Sequence, residues 1–455
     1  MFQCRSPIDG HVVYEGVYHS DDEVGEALQL ARMGQLVWQQ TSLEDRMEKL
    51  KTATDYLFDH REEIGLEITN QMGRPVKYCP GELAGVKERS ERMLALAPTS
   101  LADVTPEPID GFERKIERVP LGVVAVLAPW NYPFLTSVNA IIPALVAGNA
   151  VVLKHSEQTP LVALRYKQAF EAAGLPEGVF QHLFLSHEGA AKLVADARVD
   201  YVAFTGSVAG GHAITQAASK KFMGVGLELG GKDPAYVRGD ADVADAAINI
   251  ADGAFFNSGQ SCCGIERAYV ARGLFETFVA DVVAEAKKLV VGNPRLQETT
   301  LGPLASAKGA DFVRRQINDA IEQGATAHMP VDESWGSTYL TPQVLTNVTH
   351  DMNIMTEETF GPVVGIMVVD DDAQATTLMN DSQYGLTASI WTKDVTAARS
   401  IGEQLQTGTV FLNRCDYLDP SLAWTGVKNS GRGCTLSTVG YEHLTRPKSF
   451  HFKLT

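Results

Sequence analysis

Short apolar runs alternate with segments of helical character through the first half of the chain. Five runs are apolar on both faces, at about 123–127, 151–153, 179–185, 201–204 and 225–229. Such runs are typical of strands buried inside a parallel sheet. Helical segments lie between them at about 138–147 and 161–173, and the second ends at Gly174 and Pro176. This alternation predicts an α/β fold with a doubly wound parallel sheet.

Further elements are predicted on both sides of this region. Ser42 and Asp45 have the spacing of a capping box that starts a helix. Residues 80–100 predict another helix. A second α/β block has two predicted helices and two predicted strands, at about 242–256, 274–290, 363–369 and 388–391. Residues 443–454 alternate weakly and predict an edge strand, which favours pairing with a second subunit.

Size and charge limit the classes of function. A chain of 455 residues suggests two or three domains. Lys and Arg number 39, and Asp and Glu number 56, so the formal net charge is −17. An acidic surface repels phosphate backbones and anionic lipids. Neither nucleic acid nor a membrane is therefore an expected partner.

The cysteines indicate the compartment. Six cysteines are too sparse for a disulfide scaffold, and no Cys-x-x-Cys spacing suggests a metal site. Residues 1–10 carry no apolar signal region, and no uninterrupted run of 18 apolar residues exists. We expect a reduced, cytoplasmic enzyme with no metal.

Two segments carry candidate nucleophile and base chemistry. Cys262 and Cys263 follow Gly259-Gln260-Ser261. Either is a candidate nucleophile if its surroundings stabilise a thiolate, but adjacent cysteines are also common as small core residues. Glu228 ends an apolar run and precedes two glycines. It is a candidate general base for water, although the same residues could form only a turn.

Three more polar segments follow predicted strands, where α/β folds place ligands. Asn131 could donate to an oxyanion or form a turn between two prolines. Lys154 and Glu157 could bind ribose or form a loop charge pair. The small residues at 204–211 could approach a pyrophosphate, although they lack the common Gly-x-Gly-x-x-Gly fingerprint.

Together these segments resemble the aldehyde dehydrogenase superfamily over nearly the whole chain. The motifs are Pro-Trp-Asn-Tyr-Pro at 129–133, Lys-x-x-Glu at 154–157, Phe-Thr-Gly-Ser at 204–207, Glu-Leu-Gly-Gly-Lys at 228–232, Gly-Gln-x-Cys at 259–262, Glu-Thr-Phe-Gly-Pro at 358–362 and Lys-Asn-Ser-Gly at 428–431. The interval from Glu228 to Cys262 also fits the family. Several motifs in one order are far more specific than any one of them.

The resemblance implies oxidation of an aldehyde to its carboxylic acid by the hydrolytic branch of the family. Cys262 would attack the carbonyl and form a thiohemiacetal. The backbone N–H of Cys262 and the side chain of Asn131 would form the oxyanion hole. Hydride transfer to nicotinamide would give a thioester, which water activated by Glu228 would hydrolyse. Cys263 matches a position that is not the nucleophile.

The resemblance also implies a dinucleotide site. Lys154, Ser156 and Glu157 would lie near the adenosine ribose. Eight other residues would surround the pyrophosphate, the nicotinamide ribose and the nicotinamide ring. These are Pro129, Trp130, Gly206, Ser207, Gly211, Leu229, Glu358 and Phe360. Because Glu157 would repel a 2′-phosphate, NAD is the expected cofactor, with NADP as the alternative.

The family fold implies three parts and a homodimer or homotetramer. The NAD(P)-binding domain is expected at 1–100 and 122–229, and the α/β catalytic domain at 230–435. A small β oligomerisation flap is expected at 101–121 and 436–455.

The resemblance implies a small-molecule aldehyde as the substrate, and the expected tunnel residues come from alignment with the family. They are Tyr132, Leu135, Asn139, Arg414, Tyr417, Leu418 and Trp424. Arg414 could bind the carboxylate of a semialdehyde such as succinate semialdehyde, or it could be a surface residue near the subunit contact. Two alternatives stay open, namely transfer of the acyl group to coenzyme A and a catalytically silent protein on the same fold.

Overall fold

The computed structural model describes residues 1–330 and 336–454. Within them the α-helices are α1 (Asp21–Trp38), α2 (Leu43–Asp59), α3 (Arg61–Met72), α4 (Cys79–Ser100), α5 (Pro133–Val146), α6 (Leu161–Ala172), α7 (His187–Ala195), α8 (Val208–Ala218), α9 (Val243–Phe255), α10 (Phe275–Ala286), α11 (Ala307–Glu322), α12 (Asn353–Thr356), α13 (Asp372–Asn380) and α14 (Val395–Gly402). No helix of the described residues is long and apolar enough to cross a membrane.

The strands fall into two large sheets and two small ones. They are β1 (Phe2–Arg5), β2 (Val12–Gly16), β3 (Phe112–Pro120), β4 (Val123–Ala128), β5 (Ala150–His155), β6 (Phe180–His182), β7 (Tyr201–Thr205), β8 (Gly224–Glu228), β9 (Asp233–Val237), β10 (Ile265–Ala271), β11 (Thr326–Ala327), β12 (Gln343–Thr346), β13 (Val363–Val369), β14 (Thr387–Trp391), β15 (Thr409–Leu412), β16 (Gly431–Arg432) and β17 (Thr445–Lys453).

The first large sheet contains all five of the apolar runs. Its order is β16-β8-β7-β4-β5-β6, and every pair is parallel except β16 with β8. The chain passes from β4 outward to β5 and β6 and then returns to β7 on the other side. The strand order therefore reverses beside β4, and the crevice at the carboxyl ends there is a standard ligand position. The predicted doubly wound α/β fold is confirmed.

Both faces of the central strands β4 and β5 are covered, which explains why these two strands are largely apolar. Alternate residues of β4 enter different cores: Val124 and Val126 pack with α4, α5 and α6, whereas Val123 and Ala125 pack with α1 and α7. Burying each such side chain contributes about 1.5–3 kcal/mol. A one-residue shift in the register of β4 would turn the side chains that face one core towards the other core.

The second large sheet has the order β11-β12-β13-β10-β9-β14-β15. Only β11 is antiparallel to its neighbour. Two clusters of buried apolar side chains cover the two faces of this sheet as well. The predicted strands at 363–369 and 388–391 are β13 and β14.

The two small sheets lie near the chain ends. β1 pairs with β2, and β17 pairs with β3 in an antiparallel ribbon of nine residue pairs. The strand predicted at 443–454 is confirmed, and its partner here is β3 of the same chain. β16 belongs to the first sheet, although residues 230–435 were expected in the catalytic domain.

Candidate active site

Three segments meet where the strands of the first sheet end. Asn131 follows β4, Glu228 is the last residue of β8, and Cys262 lies in the loop before β10. Cys262 and Glu228 both line two cavities. We call the first the Trp424 cavity, of about 310 Å³, and the second the Trp130 cavity, of about 220 Å³.

The loop that carries Cys262 has an unusual backbone. Asn257, Ser258 and Gly259 all have left-handed φ angles, of 53°, 57° and 70°. A Cβ at Gly259 would lie 2.1 Å from the carbonyl oxygen of Gly361, so only glycine fits there. The Ser258 hydroxyl donates to the Gly302 carbonyl over 2.8 Å, which fixes the loop to the second sheet's domain.

The two adjacent cysteines have different surroundings. Cys262 is partly exposed to the cavities, whereas Cys263 is buried and its thiol donates to Asp416 over 2.9 Å. The neighbouring Cys262 thiol and burial hold the pKa of Cys263 well above its ordinary value. Cys263 is therefore a neutral, buried thiol in the wall of the Trp424 cavity, whereas Cys262 is partly exposed and lines both cavities.

A buried ion pair fixes Asn131 beside the cysteine loop. Arg74 pairs with Glu82 and donates to the backbone carbonyl of Asn131, and to the Asn257 side chain over 2.9 Å. The Asn131 amide then donates to the Gln260 carbonyl over 3.2 Å. An amide carries two N–H groups, so one remains to donate to an oxygen held near Cys262.

Glu228 is held by two hydroxyls. Thr205 donates to one carboxylate oxygen over 3.1 Å, and Thr435 donates to the other. Burial raises the pKa of Glu228, while these two hydrogen bonds and Arg89 act in the opposite direction. A carboxylate with a raised pKa at the junction of two cavities is suited to accept a proton from water.

The Trp130 cavity is lined by aromatic side chains and carboxylates, which suit an aromatic ring joined to a sugar. Pro129, Trp130, Gly206, Ser207, Leu229, Glu358 and Phe360 line it. The Trp130 and Phe360 rings meet edge to face, 5.7 Å apart. A Cβ at Gly230 would overlap the Glu358 carboxylate, so that glycine makes room for the acid. Burial raises the pKa of Glu358 to about 8.

A buried pair that was not predicted supports this cavity. Lys232 and Glu266 pair over 2.5 Å, and Glu266 accepts the backbone N–H groups of Thr359 and Phe360 at 2.9 Å. These contacts fix the segment that carries Glu358 and Phe360. Of this pair, only Lys232, at the end of the Glu-Leu-Gly-Gly-Lys motif, belonged to a recognised motif in the sequence, and nothing indicated that Glu266 is its partner.

The start of α8 extends the same site towards a phosphate group. Ser207 caps the helix by accepting the N–H of Gly210, and the first turn carries no acidic residue. A larger cavity of about 530 Å³ shares Trp130, Ser207, Glu358 and Phe360 with the Trp130 cavity. Gly211 lies against Leu229, where a Cβ would be 2.8 Å from a Leu229 methyl group. Helix N-termini favour anions, so these residues fit a dinucleotide.

The adenosine end predicted from the sequence lies outside these cavities. Lys154 is the second-last residue of β5, and burial lowers its pKa while Glu157 acts in the opposite direction. Ser156 accepts the N–H of Gln158 over 3.2 Å. Burial and the neighbouring Glu157 carboxylate raise the pKa of Tyr18 to about 12. Glu157 is partly exposed and can meet a sugar hydroxyl.

Most of the expected tunnel residues line the Trp424 cavity. They are Tyr132, Leu135, Asn139, Tyr417, Leu418 and Trp424. Arg414 does not line it: its side chain is exposed, and its guanidinium lies over the Tyr417 ring at 3.4 Å. The structure instead brings Arg89, from α4, into the wall. Neither Arg89 nor Thr435 was predicted from the sequence, because neither belongs to a motif near the reacting groups.

The family model described as "Aldehyde dehydrogenase family" matches residues 1–450. The chain belongs to the aldehyde dehydrogenase family. It is 35% identical to the succinate semialdehyde dehydrogenase [NAD(P)+] Sad of Escherichia coli (strain K12) over 420 residues, which cover 92% of this chain and 91% of that protein.

Two solved structures of the family have the same fold. The NAD-dependent aldehyde dehydrogenase from Sinorhizobium meliloti has a TM-score of 0.96 at 30% identity, covering 99% of this chain and 91% of that one. The NADP-dependent glyceraldehyde-3-phosphate dehydrogenase from Bacillus halodurans C-125, complexed with NADP, has a TM-score of 0.94 at 33% identity, covering 100% and 96%. The prediction of an NAD(P)-dependent aldehyde dehydrogenase is confirmed at the level of the family.

Proposed function

We propose that this enzyme oxidises a small-molecule aldehyde to its carboxylic acid through a covalent thioester on Cys262. The observation that carries the proposal is that Cys262 and Glu228 line both cavities. A substrate in the Trp424 cavity and a dinucleotide in the Trp130 cavity would therefore meet at the same thiol and the same carboxylate. The intact Asn131 supports a catalytic rather than a silent site.

Each residue has one role in the proposed reaction. The Cys262 thiolate attacks the aldehyde carbon, and the backbone N–H of Cys262 and the Asn131 amide donate to the resulting oxyanion. After the carbon has been oxidised to a thioester, Glu228 takes a proton from water, which attacks the thioester and releases the acid. The thiol of Cys262 is regenerated at the end of the cycle.

The oxidant is a nicotinamide dinucleotide, which supplies a hydride acceptor when bound. Glu358 and Phe360 would hold its ribose and ring, and the N-terminus of α8 its pyrophosphate. We propose NAD as the preferred form, because the Glu157 carboxylate accepts ribose hydroxyls and repels a 2′-phosphate. NADP is the alternative, and relatives use both forms.

The substrate class, assembly and location remain proposals as well. A semialdehyde such as succinate semialdehyde is the proposed substrate, supported by the relative that acts on it. We assign the domains at the boundaries predicted above, with the β3–β17 ribbon as the flap of a homodimer or homotetramer. The cytoplasmic location stays a prediction from six cysteines, all of which are free.

The test follows nicotinamide reduction by absorbance over a panel of aliphatic, aromatic and ω-carboxylate aldehydes, with NAD and NADP in parallel. Cys262→Ala is expected to abolish turnover, whereas Cys263→Ala keeps it because that thiol is buried. Activity that survives Cys262→Ala would overturn the nucleophile assignment. Coenzyme A in a parallel reaction separates the two branches, since an acyl-coenzyme A product would contradict hydrolysis through Glu228.

A further inference from the structure

Arg89 brings a positive charge into the wall of the Trp424 cavity. It lies on α4, and one of its terminal nitrogens, Nη1, donates to the Leu135 carbonyl over 2.7 Å and to the Asn139 side chain over 3.2 Å. These contacts hold the guanidinium against α5, on the same cavity surface as Cys262 and Glu228. The orientation of the side chain is thus fixed by the protein before any ligand arrives.

The rest of this guanidinium has no partner among the described residues. An Arg side chain has five N–H donors, and the two contacts use only those of Nη1. Neither Nε nor Nη2 donates to a described protein atom, and no described carboxylate is within ion-pairing distance. Arg74, which is buried at the same site, has its carboxylate partner in Glu82. Arg89 is only half-buried and lines the cavity, so a carboxylate held in the cavity can complete the pair that the protein leaves open.

We propose that Arg89 binds the carboxylate of the aldehyde substrate, through Nε and Nη2, and so selects ω-carboxylate aldehydes. This inference rests on the oxidation proposed above and specifies its substrate class. Two parallel N–H groups match a carboxylate in a bidentate contact, which is the strongest polar contact an Arg makes. Asn139 contributes by holding Nη1 and leaving the other edge of the guanidinium towards the cavity.

Three acidic residues besides Glu228 share this cavity and bear on the proposal. They are Glu88, Asp252 and Asp416. Asp416 accepts hydrogen bonds from Cys263 and Ser261; burial raises its pKa, while these two hydrogen bonds and the charge of Arg89 act in the opposite direction. Burial also raises the pKa of Asp252, and Glu88 is exposed. Arg89 is the only cationic side chain among the described residues that line the cavity.

A purely electrostatic role is the competing explanation for Arg89. Its charge lowers the pKa of Glu228, which would help to keep the general base ionised. That role predicts that loss of the charge slows the oxidation of every aldehyde equally and moves the acid limb of the pH profile. Carboxylate binding predicts instead a loss confined to charged substrates and expressed in KM.

The experiment compares succinate semialdehyde with its uncharged methyl ester. Wild type, Arg89→Met, Arg89→Lys and two controls would be assayed at several pH values. Arg92→Met is the matched control, because Arg92 is one turn further along α4, exposed, and bonded to Ser421. Arg414→Ala tests the residue that the sequence suggested.

Arg89→Met is expected to lower kcat/KM for the acid about 100-fold, mainly because KM rises. The same substitution should change kcat/KM for the ester by less than about 3-fold. Arg89→Lys should keep part of the preference, and both controls all of it. An equal loss for acid and ester, a preference that survives Arg89→Met, or no preference in wild type would overturn the proposal. Wild type that oxidises the ester through Cys262 without preferring the acid would refute only this inference. Failure to oxidise any aldehyde would refute the proposed function itself.

Discussion

Glu228 sits between two opposing influences on its charge. Burial favours the protonated acid, and the hydroxyls of Thr205 and Thr435 favour the carboxylate by donating to its two oxygens. Thr435 is part of the segment after β16, and its backbone pairs with that of Trp424. Its side chain can therefore be changed without removing the backbone contacts that hold it in place.

Thr435→Val is expected to raise the pKa of Glu228 further, because one donor to the carboxylate is lost. A base works when ionised, so activity is present above its pKa and lost as the pH falls through it. The acid limb of kcat should move to higher pH by about 1–2 units, with near-normal rates well above it. The measurement is kcat against pH for the variant and wild type.

Thr136→Val is the control for that prediction, because Thr136 lines the same cavity but its hydroxyl donates to the backbone carbonyl of Tyr132 over 2.8 Å. Its pH profile should match wild type. A Thr435→Val profile that coincides with wild type would show that the hydroxyl does not tune Glu228.

At the scale of elements, the loop before β10 determines where the nucleophile lies. Three consecutive left-handed residues are costly, at about 1–3 kcal/mol for each residue other than glycine. The contacts of Asn257 with Arg74 and Asn131, and of Ser258 with Gly302, offset that cost. The loop is thus held by three segments that are distant in sequence, namely those that carry Arg74, Asn131 and Gly302.

Gly259→Ala is expected to displace this loop, since the new Cβ would meet the Gly361 carbonyl at 2.1 Å with φ at +70°. Because Phe360 precedes Gly361, both the thiol and the cofactor segment should move. We expect kcat to fall at least about 100-fold and the apparent Tm to fall with it. Steady-state kinetics and thermal melts would check this.

Gly273→Ala is the matched control, because a Cβ there meets nothing within 4 Å. It should retain wild-type rates and Tm. Near-normal turnover in Gly259→Ala would mean that the loop is more tolerant than its contacts indicate.

The elements that the sequence predicted well are those whose cause is local. Strands buried on both faces appear as uninterrupted apolar runs, so β4, β5, β7 and β8 were found almost to the residue. α5 begins at Pro133, about five residues before the predicted start, because Glu82 accepts the N–H groups of Phe134 and Leu135. That cap comes from α4, some 50 residues away, and no local pattern reveals it.

The same distinction between local and distant causes applies to the residues of the candidate site. Cys262, Glu228 and Asn131 stand in contiguous motifs, so the family resemblance located them, and the structure brings them together. Arg89 and Thr435 arrive from distant segments through helix packing and a β-bridge. Alignment with the family suggested Arg414 as a tunnel residue, yet its side chain is exposed and does not line the cavity.

At the scale of the molecule, the β3–β17 ribbon is too small to be stable alone. A two-stranded sheet in water is marginal, and most of β17 is exposed. Val104 bridges Ile116 on the outer side of β3, whereas no strand of the described residues pairs with the outer edge of β17. Its exposed Phe452 packs edge to face with Phe450, 5.6 Å apart.

We expect the enzyme to form a dimer or tetramer in which a second copy covers this ribbon, because free edges and exposed aromatic faces favour pairing. Phe452→Glu should weaken the assembly at least about 10-fold, since it introduces a charge into an apolar contact. Light scattering coupled to size exclusion, over a dilution series, measures the mass. Val17→Glu is the control, because Val17 is exposed but lies in the segment between β2 and α1, outside the ribbon. A wild-type monomer at every concentration, or equal dissociation of both variants, would show that the ribbon is not the subunit contact.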